Sequence, residues 1–255
     1  MQHLLGVAPM VNTDFNVLGV VMARGGSVGL AGKHLRELHG RTVIDYTLDH
    51  ATAAESVTRV VVSSDCPNIL DLARRRMFET IHRPESLATS AASVQDVLLH
   101  ALDSVESRSS FRAHAVAILY GNVPVRPDGC IDAAVEKLRD SGSDSVRTWC
   151  PVGKWHPYWM ATLDGDRVVP NFTGSIHRRQ DLPPMRLHDG GCVVIKREAL
   201  LAGRGTSDPH AMFGTDRRGI ETGEGDVVEV DSERDLWIAE AALRGKVRPN
   251  MRRAA

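Results

Sequence analysis

The chain has 255 residues, 42% of them hydrophobic, with a formal net charge of −1 and four cysteines. That length suits one α/β domain with a sizeable core, and a near-neutral charge argues against a nucleic-acid or membrane surface. No apolar run is long enough to span a bilayer, and Cys66, Cys130, Cys150 and Cys192 lie far apart, as expected of reduced thiols in a cytoplasmic protein. The histidines are scattered without metal-ligand spacing.

Residues 1–16 hold no Lys or Arg and are interrupted by Pro9 and Asn12, so they read as an N-terminal tail and not a signal peptide. The branched apolar run from Val17 to Met22 predicts a buried strand. It opens into Ala23-Arg24-Gly25-Gly26-Ser27-Val28-Gly29-Leu30-Ala31-Gly32-Lys33-His34. Glycines let backbone N–H groups approach an anion, and Arg24 and Lys33 supply charge, so this loop is a candidate phosphate grip. Two familiar grips are excluded. Ser27 stands where a Walker loop needs its first Gly, and glycines at 25, 26, 29 and 32 do not fit G-x-G-x-x-G.

Val43, Tyr46, Thr47, Leu48 and Ala51 mark a helix over 42–54, followed by a valine-rich strand over 57–63. Ser64-Asp65-Cys66-Pro67 turns into a helix through Arg76, with Pro67 in its first turn and Asp65 suited to capping. Phe78 to His82 is a short strand; the stripe Val94, Val97, Leu98, Ala101, Leu102 and Val105 is a helix that Ser93 can cap, with Asp96 three residues on. Ala115 to Leu119 predicts a buried strand ending in Tyr120-Gly121-Asn122-Val123-Pro124-Val125-Arg126. Ligands bind at that end of a strand in open α/β sheets.

A helix about Ile131–Leu138, capped near Asp128, and a strand over 145–150 come next. The stretch 151–184 gathers Trp155, Tyr158 and Trp159, marking an interface, a pocket or packing under a long loop. A short helix over 196–202 and a loop to His210 precede a last strand, Val227–Asp231, and a last helix, Ser232–Leu243. Alternation puts Glu229 and Asp231 on one face, a pair able to hold magnesium, although Asp231 could equally cap the helix. Strand–helix alternation without hairpin signals predicts an α/β fold with a mostly parallel open sheet and flanking helices.

The loop Ala-Arg-Gly-Gly-Ser-x-Gly-x-x-x-Lys resembles the signature of the acylneuraminate cytidylyltransferases, the CMP-sialic acid synthetases. Further matches follow in order: Val-Ser-Ser-Asp ending at Asp65, Arg83-Pro84 with Leu87-Ala88, Pro124 with Arg126, Asp144-Ser145-Val146, and Arg178-Arg179-Gln180-Asp181-Leu182-Pro183. The resemblance implies a nucleotide-diphospho-sugar transferase type of fold over 17–245, with a dimerisation protrusion at about 151–190 and a basic tail over 246–255. It implies CTP binding by Ala23, Arg24, Ser27, Gly29, Lys33, His34, Arg83 and Ser93. Tyr120, Asn122, Arg178, Arg179, Gln180 and Asp189 would face the sugar, Asp231 and Glu229 would hold Mg2+, and Arg24, Lys33 and Asp231 would act in catalysis. The implied reaction is CTP plus a 2-keto acid sugar giving CMP-sugar and pyrophosphate, in a homodimer.

Several positions depart from that pattern: Val28 stands for Lys, His34 for Asn, Tyr120 for Gln, Asp189 for Asn and Val193 for Tyr. Gly121-Asn122-Val123-Pro124 is closer to the Gly-Asp-x-Pro of sugar-phosphate nucleotidyltransferases. A sugar- or polyol-phosphate nucleotidyltransferase and a non-catalytic nucleotide-binding homologue are therefore the alternative readings.

Overall fold

The computed structural model describes residues 15–26, 29–172, 174 and 176–247. β1 (Val17–Met22) is apolar on both faces because it lies inside a seven-stranded sheet covered from both sides. After it come a 3₁₀ turn at Lys33–Leu35, the short hairpin β2 (Glu37–Leu38) and β3 (Arg41–Thr42), α1 (Val43–Ala53), β4 (Arg59–Ser64), α2 (Pro67–Arg75) and β5 (Glu79–His82). The middle of the chain supplies α3 (Val94–Arg108), β6 (Ala115–Tyr120), α4 (Cys130–Ser141) and β7 (Ser145–Pro151). An outlying hairpin, β8 (Ala161–Asp164) and β9 (Arg167–Pro170), precedes β10 (Arg186–Lys196), α5 (Arg197–Ala202), β11 (Arg217–Glu221) and α6 (Glu233–Val247).

The sheet order is β11-β7-β10-β6-β1-β4-β5. Only β10 runs against its neighbours; every other pair in this sheet is parallel, as expected. One face packs under α1, α2 and α4 through Ile44, Leu48, Ile69, Leu72, Ile131 and Leu138. The other packs under α3 and α5 through Leu98, Leu102 and Leu200. Helix α6 closes a third cluster, setting Leu236 and Ala239 against Val43, Val125 and Val230.

Several boundaries differ from the sequence reading, including the cap of α4, which falls on Gly129 and not Asp128. Val227–Asp231 is not a strand: only Val228 bridges, antiparallel, to Val125. The last strand is β11, whose Arg-Arg-Gly-Ile-Glu carries a single large apolar residue and so gives no strand signal. At the N-terminus, Phe15 and Asn16 belong to the fold, since Phe15 stacks on His114 and the Asn16 side chain donates to the Arg112 carbonyl at 3.0 Å. Residues 1–14 of the expected tail and 248–255 of the basic tail lie outside the described residues, while α6 runs to Val247. All four cysteines are free thiols, with Cys130 and Cys192 buried. No helix among the described residues is long and apolar enough to cross a membrane.

Arg126 is 1% exposed and joins the elements that meet behind the sheet's C-terminal edge. Its guanidinium donates to the carbonyls of Gly191 (2.7 Å), Val123 (2.8 Å) and Tyr120 (3.0 Å). It also donates to the Thr47 hydroxyl (3.1 Å) and contacts His50 Nδ1 (3.0 Å). Burial draws its pKa down to about 10, so it remains charged at neutral pH. Arg126→Met keeps the bulk but leaves the Gly191 carbonyl without this donor. We expect it to cost on the order of 3 kcal/mol in urea unfolding, since buried orphaned polar groups cost roughly 1–3 kcal/mol each. A loss below about 1 kcal/mol would show that the loop is held by other contacts.

Candidate active site

The loop after β1 is shaped by its neighbours before any ligand is considered. Gly25 N–H donates to Asp65 Oδ1 at 2.9 Å, and Ala23 N–H to the Ser63 carbonyl at 3.2 Å. Asp65 is thus a loop anchor and not the cap of α2, whose N-cap is Cys66. His34 is buried, and its Nδ1 lies 3.1 Å from the Arg24 carbonyl. Because a carbonyl only accepts, Nδ1 carries the proton. Burial, aided by the adjacent Lys33, lowers the His34 pKa to about 3 and keeps the ring neutral. Gly121 makes room for that ring: a Cβ there would lie 3.0 Å from His34 Cδ2. His34 therefore braces the loop from inside, although it also reaches the cavity wall.

The far end of the loop meets the segment before α6. A Cβ on Gly29 would come 2.7 Å from the Asp231 carbonyl oxygen, so only glycine lets the two backbones approach this closely. Lys33 Nζ then reaches Asp231 Oδ1 at 2.5 Å. Asn122 Nδ2 contacts Glu229 Oε1 (3.2 Å), the Val230 carbonyl (3.1 Å) and Asp231 Oδ1 (3.3 Å). The three acceptors fix which way the amide points. Asp231 does not cap α6. Ser232 and Asp235 do, with Asp235 Oδ2 accepting from Ser232 N–H (2.8 Å) and Oγ (2.8 Å).

These groups surround a cavity of about 230 Å³ at the C-terminal ends of β1 and β6. Ala23, Arg24, Lys33, His34, Arg83, Tyr120, Asn122 and Glu229 all line it, and Asp231 adjoins it through Lys33 and Asn122. Arg83 is 4% exposed, with one guanidinium nitrogen donating to the Ser63 carbonyl at 2.9 Å. Burial pushes its pKa down, and Asp65 opposes that shift. Tyr120 is pushed up to about 12 by burial and then by Glu229, so its hydroxyl stays protonated. Burial first and Asp231 second raise the Glu229 pKa, against the Asn122 hydrogen bond.

Other sequence candidates go elsewhere. Ser27 lies outside the described residues. Ser93 caps α3, accepting from Asp96 N–H at 3.0 Å, while its neighbours Ala92 and Val94 line the cavity. Asp189 is a structural acceptor: it takes the hydroxyl protons of Thr148 and Thr222 and the Gly191 N–H (3.0 Å), holding the irregularity in β10. Arg178 pairs with Asp181 (2.7 Å) and Arg179 with Glu224 (3.2 Å) on an exposed turn that includes Gln180, away from this chain's cavity. Thr89 and Ser90 line the cavity unforeseen, because a polar loop carries no periodicity that would single them out.

Among the described residues no group of three or more His, Cys, Asp or Glu is disposed to hold a metal ion. Glu229 and Asp231, brought together by Asn122, offer an oxygen-only donor pair. That pair fits a hard divalent cation whose remaining positions are filled by substrate oxygens and water.

Residues 18–162 match the family model described as Cytidylyltransferase. This chain belongs to that family. The cytidylyltransferase is 32% identical over 255 aligned positions to the 3-deoxy-manno-octulosonate cytidylyltransferase of Acidobacterium capsulatum, covering 91% of this chain and 98% of that one. It is 25% identical over 232 residues to the post-translational flagellin modification protein B of Campylobacter coli, covering 90% and 96%. The N-acylneuraminate cytidylyltransferase of Streptococcus agalactiae serotype V is 27% identical over 186 residues; the match covers 71% of this chain but only 44% of that longer protein. The solved structure of CMP:2-keto-3-deoxy-manno-octonic acid synthetase complexed with CTP shares the fold, at a TM-score of 0.67 and 17% identity over 91% of this chain and 100% of that one.

Two outcomes are expected. His34 binds a proton far less readily folded than unfolded, so its stabilisation is complete above pH 6.5 and is lost as pH falls toward 3. Within that window His34→Asn should flatten the slope of unfolding free energy by up to about 1.4 kcal/mol per pH unit, read by urea titrations at pH 6 and pH 4. An unchanged slope would mean that the ring is protonated in place. Asp231→Asn removes charge from an exposed pair worth about 0–1 kcal/mol, so the melting temperature should hardly move while turnover falls at least about tenfold. Full turnover in a folded Asp231→Asn variant would leave Asp231 a purely structural role.

Proposed function

We propose that this cytidylyltransferase couples CTP to a 2-keto acid sugar, a sialic or other nonulosonic acid, releasing pyrophosphate. One observation carries the reading: Arg24, Lys33 and Arg83 converge on the same cavity as the Glu229–Asp231 pair. Cations there suit a triphosphate, and the carboxylates suit the cation that accompanies it. The names of the relatives, which include 3-deoxy-manno-octulosonate and N-acylneuraminate cytidylyltransferases, support an acidic sugar as acceptor.

In this reading the anomeric hydroxyl oxygen attacks the α-phosphorus in line and releases its proton to solvent, while the bond to the bridging oxygen breaks and pyrophosphate leaves. Lys33 exchanges Asp231 for a phosphate oxygen, and with Arg24 stabilises the charge that develops on the leaving group. The Asp65 and His34 contacts hold the loop so that little reorganisation is needed at that moment. Asp231 and Glu229 would hold magnesium, which supplies charge neutralisation at the phosphoryl oxygens.

The reading extends to assembly and location. The segment 151–190 exposes Trp155, Trp159, Leu163, Val168 and Phe172, and every residue of β8 and β9 is exposed. An apolar surface of that kind supports pairing with a second copy, which would carry Arg178, Arg179 and Gln180 toward the partner's cavity. Four free thiols support a cytoplasmic enzyme.

Pyrophosphate release over four nucleoside triphosphates, three acid sugars and a set of sugar phosphates tests the reading. Turnover should require CTP together with an acid sugar. Release with sugar phosphates alone would reassign the acceptor, and CTP binding without release from any acceptor would favour a non-catalytic homologue.

A further inference from the structure

Arg147 stands on the same face of the sheet as Tyr120. In register it pairs with Val193 of β10, which in turn pairs with Ile118 of β6, two residues before Tyr120. On the other side it pairs with Gly219 of β11, which has no side chain. Arg147 is thus the one long polar side chain in the outer half of that row. Its guanidinium carbon lies 4.4 Å from the Phe213 ring centre and 4.9 Å from that of Trp149. Contact with two aromatic faces orders a flexible side chain and leaves the fork edge free.

The electrostatics around it are unbalanced. Arg178, Arg179, Arg186, Arg197, Arg204 and Arg218 each hold a carboxylate. Arg147, among the described residues, has neither a carboxylate partner nor a hydrogen-bond acceptor, and it feels burial and the like charge of Arg217. Arg217 itself lies 6.0 Å from the Phe213 ring centre and donates to the Gly214 and His210 carbonyls, not to an acid. A partly buried cation beside a second cation is unfavourable until an anion joins them. Arg24, Lys33 and Arg83 line the cavity that Tyr120 also walls and are available to the triphosphate, whereas Arg147 is not among its lining residues. The anion for Arg147 therefore belongs to the acceptor.

We infer that Arg147 binds the carboxylate of the acid-sugar acceptor and sets the requirement for a 2-keto acid. This rests on the acid-sugar reading above. A guanidinium fork takes a carboxylate through two parallel N–H bonds, and Tyr120 beside it can donate its hydroxyl to the same substrate. The sequence pointed to Arg178 and Arg179 for this task. In the structure both already hold acids, whereas Arg147 does not.

The test uses the full chain with CTP and three probes: N-acetylneuraminic acid, N,N'-diacetyllegionaminic acid and 3-deoxy-manno-octulosonic acid. The best of them is compared with its methyl ester. In Arg147→Gln the KM for the acid should rise about 10- to 100-fold, as for loss of a charged hydrogen-bonding partner. CTP affinity, measured separately by calorimetry, should stay within about twofold, and the preference for acid over ester should collapse. Arg147→Lys, which keeps the charge but not the fork, should fall between the two and serves if the Gln variant does not fold. An unchanged acid-to-ester ratio in a folded variant overturns the inference while leaving the acid-sugar activity standing. So does a ratio that collapses in Arg179→Gln and not in Arg147→Gln. Wild-type turnover with sugar phosphates but with none of the acids overturns the underlying reading as well.

Discussion

Arg126 sets the distance between the turn that carries Tyr120 and Asn122 and the strand that carries Gly191, because one enclosed guanidinium donates to carbonyls of both. Thr47 of α1 adds its hydroxyl to the Tyr120 and Val123 carbonyls, each at 3.1 Å, so a helix on one side of the sheet is tied to the same turn. A buried charge is costly to desolvate, and only dense hydrogen bonding makes it tolerable. Asn122 depends on this arrangement. Its backbone carbonyl accepts from Val230 N–H at 2.7 Å, and its side chain gathers Glu229 and Asp231. The acidic side of the cavity is therefore built outward from Arg126.

The basic side is built from a different support. Asp65 and His34 grip the loop after β1 by its main chain, at Gly25 and at the Arg24 carbonyl. Side chains thus remain available: Arg24 and Lys33 face the cavity while the backbone is held from behind. The His34 ring can do this only as a neutral donor, and burial against Gly121 ensures that state at physiological pH. Gly29 completes the loop by letting it close on Asp231, which puts Lys33 in contact with the acid pair. Ion pairing between the two sides keeps opposite charges satisfied without a ligand. An incoming triphosphate can exchange with Asp231 for Lys33 at little net electrostatic cost.

The outlying hairpin and α6 add a different kind of surface. Trp155, Leu163 and Val168 on or near the hairpin, and Trp237 and Ile238 on α6, stand exposed although they are large and apolar. In the hairpin both faces are solvated, so β8 and β9 derive no burial from the chain that carries them. A two-stranded ribbon of that sort is marginal by itself.

By itself the sequence determined the alternation of strands and helices, the mostly parallel sheet, and the glycine loop with Arg24 and Lys33. These features rest on local pattern: branched apolar runs, helical stripes, and glycines beside cations. What local pattern cannot encode was decided by tertiary structure. β11 has too little apolar content to announce itself and exists because β7 offers it a parallel edge. Glu229 and Asp231 meet through Asn122, 107 and 109 residues away, and not through strand alternation. Asp65 became a loop anchor because the loop after β1 passes over the end of β4. Asp189 was drawn into the sheet by Thr148 and Thr222, while Arg178 and Arg179 were left outside this chain's cavity. Hydrogen-bond partners far apart in sequence decide which of several chemically suitable side chains face a cavity, and only the folded chain brings those partners together.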